Sequence, residues 1–157
     1  MARPRVLSVP IPDDSSLQSL VPRVDYSDAF AVRLPPDAGT DAGEWADRFF
    51  ADPPSWIRRM LALRDALVGM FGLKTNDLEA AVPFPELTRT EREVVYGVDD
   101  RHLDFRASVH VARSGEDVRL SVATVVHQHS LFGRLYFLPV RVVHPLIIRS
   151  MLRRVAA

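Results

Sequence analysis

Apolar and polar positions alternate with a period of two in four stretches of the chain. Tyr26–Leu34 puts Phe30, Val32 and Leu34 on one face and Ala29, Ala31 and Arg33 on the other. Residues 93–98 align Val94, Tyr96 and Val98; residues 103–111 align Leu103, Phe105, Ala107, Val109 and Val111; residues 118–126 align Val118, Leu120, Val122, Thr124 and Val126. Each stretch reads as a strand with one buried face. The connections at 99–102 and 113–116 are short, and the second holds Ser114-Gly115, a hairpin signal. With Ser114-Gly115 at the centre, Val111 faces Val118, Val109 faces Leu120, Ala107 faces Val122 and Phe105 faces Thr124. A loop at 99–102 sets Val98 opposite Leu103 and Tyr96 opposite Phe105. All apolar halves then share one face, which a one-residue slip in either hairpin would scatter. The expectation is an antiparallel meander, with Phe105 buried and flanked by Tyr96 and Thr124.

Other stretches carry the helical period. Pro12-Asp13-Asp14-Ser15-Ser16 is a turn feeding a short helix, Leu17–Leu20, which Pro22 closes. Residues 42–50 form a helix capped by Thr40 or Asp41, with Trp45 and Phe49 on one side. Residues 56–71 form a longer one with a stripe of Trp56, Met60, Leu63, Leu67 and Met70 or Phe71, stopped at Gly72. Residues 74–80 read as a loop with a short turn, and Pro83 and Pro85 hold Phe84 extended. In residues 132–155, Leu135, Leu138, Val142, Leu146, Ile147, Met151 and Leu152 make an expected buried stripe. Pro139 and Pro145 predict a kink there or a division into two helices. Arg134, Arg141, His144 and Arg149 interrupt this segment, so no integral membrane segment is expected.

A sheet with one apolar face must cover it, and the terminal segment is the apolar element long enough to do so. This predicts an α+β helix-grip fold over residues 1–157. A curved antiparallel sheet packs on a long C-terminal helical segment, with two shorter helices after the first strand. No apolar stripe is left over in this arrangement. A large obligate interface is not expected, and monomer and homodimer both remain open.

Length and composition agree with one domain. The 157 residues, 17.6 kDa, are 47% hydrophobic and 25% charged. Twenty basic residues balance twenty acidic ones, which argues against nucleic acid as a partner. There is no cysteine, so disulfides, thiolate chemistry and iron–sulfur clusters are excluded. Pro10 and Pro12 break the only apolar run near the N-terminus, so no signal peptide is expected and the cytoplasm is the default.

Particular segments resemble a bacterial family of unknown function, numbered 2867. They are Ala62-Leu63-Arg64-Asp65-Ala66-Leu67-Val68, Phe71-Gly72-Leu73-Lys74-Thr75, Asp99-Asp100-Arg101-His102-Leu103-Asp104-Phe105-Arg106 and Phe132-Gly133-Arg134-Leu135-Tyr136. His144-Pro145-Leu146-Ile147-Ile148 and Met151-Leu152-Arg153-Arg154 fit as well, so the resemblance runs from about residue 9 to residue 154. It implies a START-like or Bet v 1-like (SRPBCC) helix-grip domain with an apolar cavity between sheet and helix. Members also occur fused behind nucleotide-sugar-epimerase-like reductase domains. That part is absent here, so no NAD site is carried over, and the resemblance assigns no catalytic residue.

Two groups of residues are candidates for chemistry. Tyr96, Phe105 and Thr124 lie side by side on the apolar face, with Trp56, Tyr136 and Phe71 as walls. Two rings and two hydroxyls suit a mostly apolar pocket for a small apolar or amphipathic molecule. An ordinary packed core uses the same residues. His102, Asp104, Arg106, His110, His127 and His129 form a polar group on the opposite face, with His102 expected across from His127. Such residues suit an enzyme of cyclase, hydrolase or isomerase type if His102, Arg106 and His127 turn into a cavity. A solvated outer face uses them equally well. No His-Glu-x-x-His or comparable motif supports a metal, and no glycine-rich phosphate loop is present. Neither metal nor cofactor is therefore expected. A structural or interaction protein with a filled core is the third alternative.

Overall fold

The alternating stretches are strands. The computed structural model describes residues 3–70 and 84–157. Among these, β1 (Val6–Ser8), β2 (Tyr26–Leu34), β3 (Glu86–Arg89), β4 (Glu93–Asp99), β5 (Leu103–Ser114) and β6 (Asp117–Gln128) form one curved, open antiparallel sheet. Its order is β1-β2-β6-β5-β4-β3. The helices are α1 (Ala42–Ala51), α2 (Ser55–Met70) and α3 (Leu131–Val155), with a 3-10 turn at Leu17–Leu20. The α+β helix-grip architecture is as expected. β1 and β3 are additional to the expected strands; the readings of residues 74–80 and of Phe71, Gly72 and Pro83 lie outside the described residues, as do the side chains of Leu67 and Met70.

Both hairpins differ from the expected register by two residues. Val111 faces Leu120, Val109 faces Val122, Ala107 faces Thr124 and Phe105 faces Val126. In the other hairpin Val98 faces Phe105 and Tyr96 faces Ala107. The turn is Gly115-Glu116 between the paired Ser114 and Asp117, with φ +60° at Gly115. A positive φ at the first central residue only is the II′ pattern of two-residue hairpins, and glycine adopts it without strain. Shifting by two preserves the side-chain face, so apolar parity is blind to the error.

The inner face of the sheet carries the main core. Phe30, Val32, Leu34, Val94, Tyr96, Val109, Val111, Val118, Leu120 and Val122 pack under α1 and the end of α3. Asp41 caps α1 by accepting from the Gly43 and Glu44 N–H groups. On the outer face a smaller core joins Leu17 and Val21 to Ala29, Val95, Ala123 and Val125. The 3-10 turn is pinned there by Glu93, which accepts from Ser15 Oγ and from Ser16 N and Oγ.

Two helical stripes need correction. On α2 Ile57 and Asp65 are buried and Met60 and Leu61 half-buried, while Trp56 and Leu63 face solvent. On α3 the buried residues are Gly133, Phe137, Ile148, Met151 and Leu152; Leu135, Leu138, Val142 and Leu146 are exposed. α3 is apolar nearly all round, so periodicity alone does not select its inner side. Contacts select it. A Cβ on Gly133 would stand 2.3 Å from the His102 carbonyl oxygen, so the helix start can lie this close only with glycine. Nor do Pro139 and Pro145 divide the segment: α3 is one helix of 25 residues. By length and composition alone it is also apolar enough to cross a membrane. Here its inner side is part of the domain core, and the apolar stripe expected to be used up is left outside.

Candidate ligand site beneath the terminal helix

One row of the inner face is polar where its neighbours are apolar. Asp28 pairs with Thr124 across β2 and β6, Thr124 with Ala107 across β6 and β5, and Ala107 with Tyr96 across β5 and β4. All four side chains share the inner face by strand alternation. The adjoining row is Tyr26, Val126, Phe105 and Val98.

α3 brings a histidine down onto this row. His144 Nδ1 donates to Asp28 Oδ2 at 2.9 Å, and Tyr26 Oη donates to the same oxygen at 2.6 Å. Both partners of the His144–Asp28 hydrogen bond are largely buried, with side chains 13% and 10% exposed. The Tyr26 ring meets Phe137 edge-on at 4.9 Å, and the Arg141 guanidinium lies over it at 5.5 Å. The His144 ring stands 6.5 Å from Phe105, which packs against Phe84 at 4.7 Å. In a neutral imidazole whose Nδ1–H is held by a carboxylate, it is Nε2 that carries the lone pair.

Three polar atoms of the row are buried without a hydrogen-bond partner among the described residues: Asp28 Oδ1, Thr124 Oγ1 and Tyr96 Oη. Such atoms are costly inside an apolar layer, and they suit a bound molecule with matching polar groups. Burial pushes the Tyr96 phenol up to about 12, with the nearby Glu86 adding to the rise. Burial and then the Asp28 bond push Tyr26 the same way. Both tyrosines are therefore neutral donors at physiological pH.

A pH consequence follows for stability. An unfolded tyrosine ionises near pH 10. The stabilisation tied to neutral Tyr96 is thus complete below about pH 10 and is lost as pH rises toward about 12. Urea midpoints should fall over that window, and Tyr96→Phe should fall less steeply. Parallel curves for parent and variant would refute the assignment to Tyr96.

The expected site residues are divided by the fold. Tyr96 and Thr124 lie in the polar row, separated by Ala107. Phe105 is in the next row and half-buried rather than fully buried, with Val98 and Val126 as its neighbours. Tyr136 is half-buried, and its hydroxyl accepts from Arg64 Nε at 2.9 Å. Trp56 is 42% exposed and stands on the solvent side of α2.

The polar group proposed for acid–base work stays away from the inner face. His127 donates from Nδ1 to Asp25, and Arg106 donates to Asp99 and to the Val98 and Phe105 carbonyls. His102 lies across from His129, not His127, and bonds the Ser130 hydroxyl that caps α3. Burial works against the Asp25 carboxylate, but the Gln128 N–H, Arg23 and His127 outweigh it and hold it below the usual carboxylate range. His129 lies 3.0 Å from Asp104, and His110, 2% exposed, lies 3.0 Å from Asp14. Among the described residues no three His, Asp or Glu side chains are arranged to hold a metal ion.

Tyr26, Asp28 and His144 were not singled out from the sequence as site residues. Their only local signal is a carboxylate at an inward position of an apolar strand. A cleft of about 230 Å³ lined by Arg48, Phe49, Asp52, Met151, Arg154 and Val155 lies at the other end of α3 and contains none of this row.

No curated protein matches the chain. The model of a family described as "protein of unknown function (DUF2867)" matches residues 20–151, most of the sheet, all of α1 and α2, and α3 as far as Met151. The chain belongs to this family, DUF2867.

Proposed function

We propose that the protein binds a small amphipathic molecule between the inner face of the sheet and α3, as START-like and Bet v 1-like helix-grip domains do. The observation that carries this is the pair of buried, unpartnered polar atoms at Asp28 and Thr124 within an otherwise apolar face, with the unpartnered Tyr96 hydroxyl farther along the row, where its ring meets Phe50 of α1. Phe84, Phe105, Ala107 and Val126 offer the apolar contact. Asp28, Tyr26 and His144 orient the polar end, as a few convergent polar groups do in apolar pockets. The cytoplasmic placement expected from the sequence belongs to the same proposal.

The test uses 1-anilinonaphthalene-8-sulfonate as the probe. Its fluorescence should rise saturably with the protein. Ala107→Trp, which fills the centre of the row, should weaken binding about tenfold or more while the protein still unfolds cooperatively. Non-saturable binding, or binding that Ala107→Trp leaves intact, overturns the proposal.

A second function on the same residues is proton transfer to a bound substrate, favoured by the hydrogen bond from His144 Nδ1 to Asp28. In the neutral imidazole that bond leaves Nε2 free to act as the base, with the ring 6.5 Å from Phe105.

A further inference from the structure

Half of the exposed large apolar side chains among the described residues stand on the outward side of α3. Leu131 (72%), Phe132 (45%), Leu135 (57%), Leu138 (52%), Val142 (70%) and Leu146 (60%) are all strongly exposed. Their spacing puts them on one side of the helix, opposite the buried Gly133, Phe137, Ile148 and Met151. Isolated exposed leucines are ordinary on a protein surface, whereas a continuous stripe marks a contact surface.

Charge narrows the partner. α3 carries Arg134, Arg141, Arg149, Arg153 and Arg154 and no acidic residue. Arg134 and Arg153 are exposed beside or within the stripe, while Arg141 turns back over the Tyr26 ring. A second copy laid along α3 in either direction would bring arginine rows together with no carboxylate on the helix to pair them. An anionic surface has the complementary charge. Pro139 and Pro145 also lie within the helix, without the regular side-chain series that a helix–helix seam needs.

We propose that the outer side of α3 docks on the interface of an anionic lipid bilayer, the helix lying in the membrane plane. Leu131, Leu135, Leu138 and Val142 enter the acyl boundary, and Arg134 and Arg153 meet the phosphates. This is the arrangement of interfacial amphipathic helices, with the unusual feature that the helix is already folded against a sheet before it binds. No ordering cost is then added on docking. The proposal does not depend on a ligand beneath α3.

The experiment is co-sedimentation of the whole chain with vesicles of phosphatidylcholine containing about 30% phosphatidylserine, in about 0.1 M salt. The protein should pellet with these vesicles and about tenfold less with phosphatidylcholine alone. Leu138→Gln/Val142→Gln should lose most of the binding, as should Arg134→Gln/Arg153→Gln, because both apolar insertion and charge are used. Circular dichroism and thermal midpoints should match the parent, since all four positions are exposed. Failure of the parent to pellet overturns the proposal, as does undiminished pelleting of Leu138→Gln/Val142→Gln. So does a parent dimer, seen by light scattering, that this same variant dissociates; the stripe would then belong to a second copy.

Discussion

Leu152→Ala should destabilise the protein by about 2–5 kcal/mol, while Leu138→Ala on the same helix should cost within about 0.5 kcal/mol. Both residues are leucines in α3, and the sequence pattern assigns both to one buried stripe. In the structure Leu152 is 0% exposed and joins the core with Phe30, Val32 and Met151, whereas Leu138 is 52% exposed. Truncating Leu152 removes buried methyl groups and leaves a cavity among residues held by the sheet and α1. Truncating Leu138 leaves no cavity. Urea denaturation of the two variants is the measurement. Equal losses would place the wrong side of α3 against the sheet, and with it the histidine of the candidate site.

The strands were legible because half-buried strands write their two faces into alternate residues. β2, β4, β5 and β6 all do so, and their shared parity forces a common apolar face. What parity does not contain is a shift of two. That was set by the φ of Gly115, which makes Gly115-Glu116 the turn. β1 and β3 were invisible for a different reason. β1 has three residues, of which only Val6 is buried, too few to show a period, and all four residues of β3 are exposed. α3 shows the opposite difficulty. An excess of apolar positions hides its orientation, and the contacts that fix it involve a glycine and a histidine rather than a leucine stripe.

Of the candidate site, Tyr96 and Thr124 were readable as inward polar residues on apolar strands. Asp28 obeys the same rule in β2, two residues from Tyr26 and two from Phe30. His144 does not, because it reaches the row from a helix 116 positions away in sequence. Such a pair is a product of topology: α3 must cross β2 and β6 before the imidazole and the carboxylate meet. The histidines that cluster in sequence, His127 and His129, gather at the sheet's other face. Proximity along the chain there reflects the end of β6 and its short connection to α3.

Asp28→Ala should cost about 3 kcal/mol, more than His144→Ala. Asp28 Oδ2 receives two hydrogen bonds, from His144 and from Tyr26. Removing the carboxylate strands both donors in a layer where little water reaches them, whereas removing the imidazole leaves Tyr26 still bonded to Asp28. The direct interaction is isolated by the cycle of Asp28→Ala, His144→Ala and the double variant. A coupling of about 1–3 kcal/mol is expected from groups in direct contact in one network. Additivity within about 0.3 kcal/mol would mean that the pair contributes nothing in solution. Tyr26→Phe separates the remaining bond: it removes one hydroxyl from Asp28 with the ring still against Phe137, so its cost should be about 1 kcal/mol. If Asp28→Ala gains stability while losing binding of 1-anilinonaphthalene-8-sulfonate, the carboxylate is retained at the expense of the fold for the sake of a ligand. That outcome fits the unpartnered Oδ1 and the acid–base geometry of His144 better than a purely structural ion pair does.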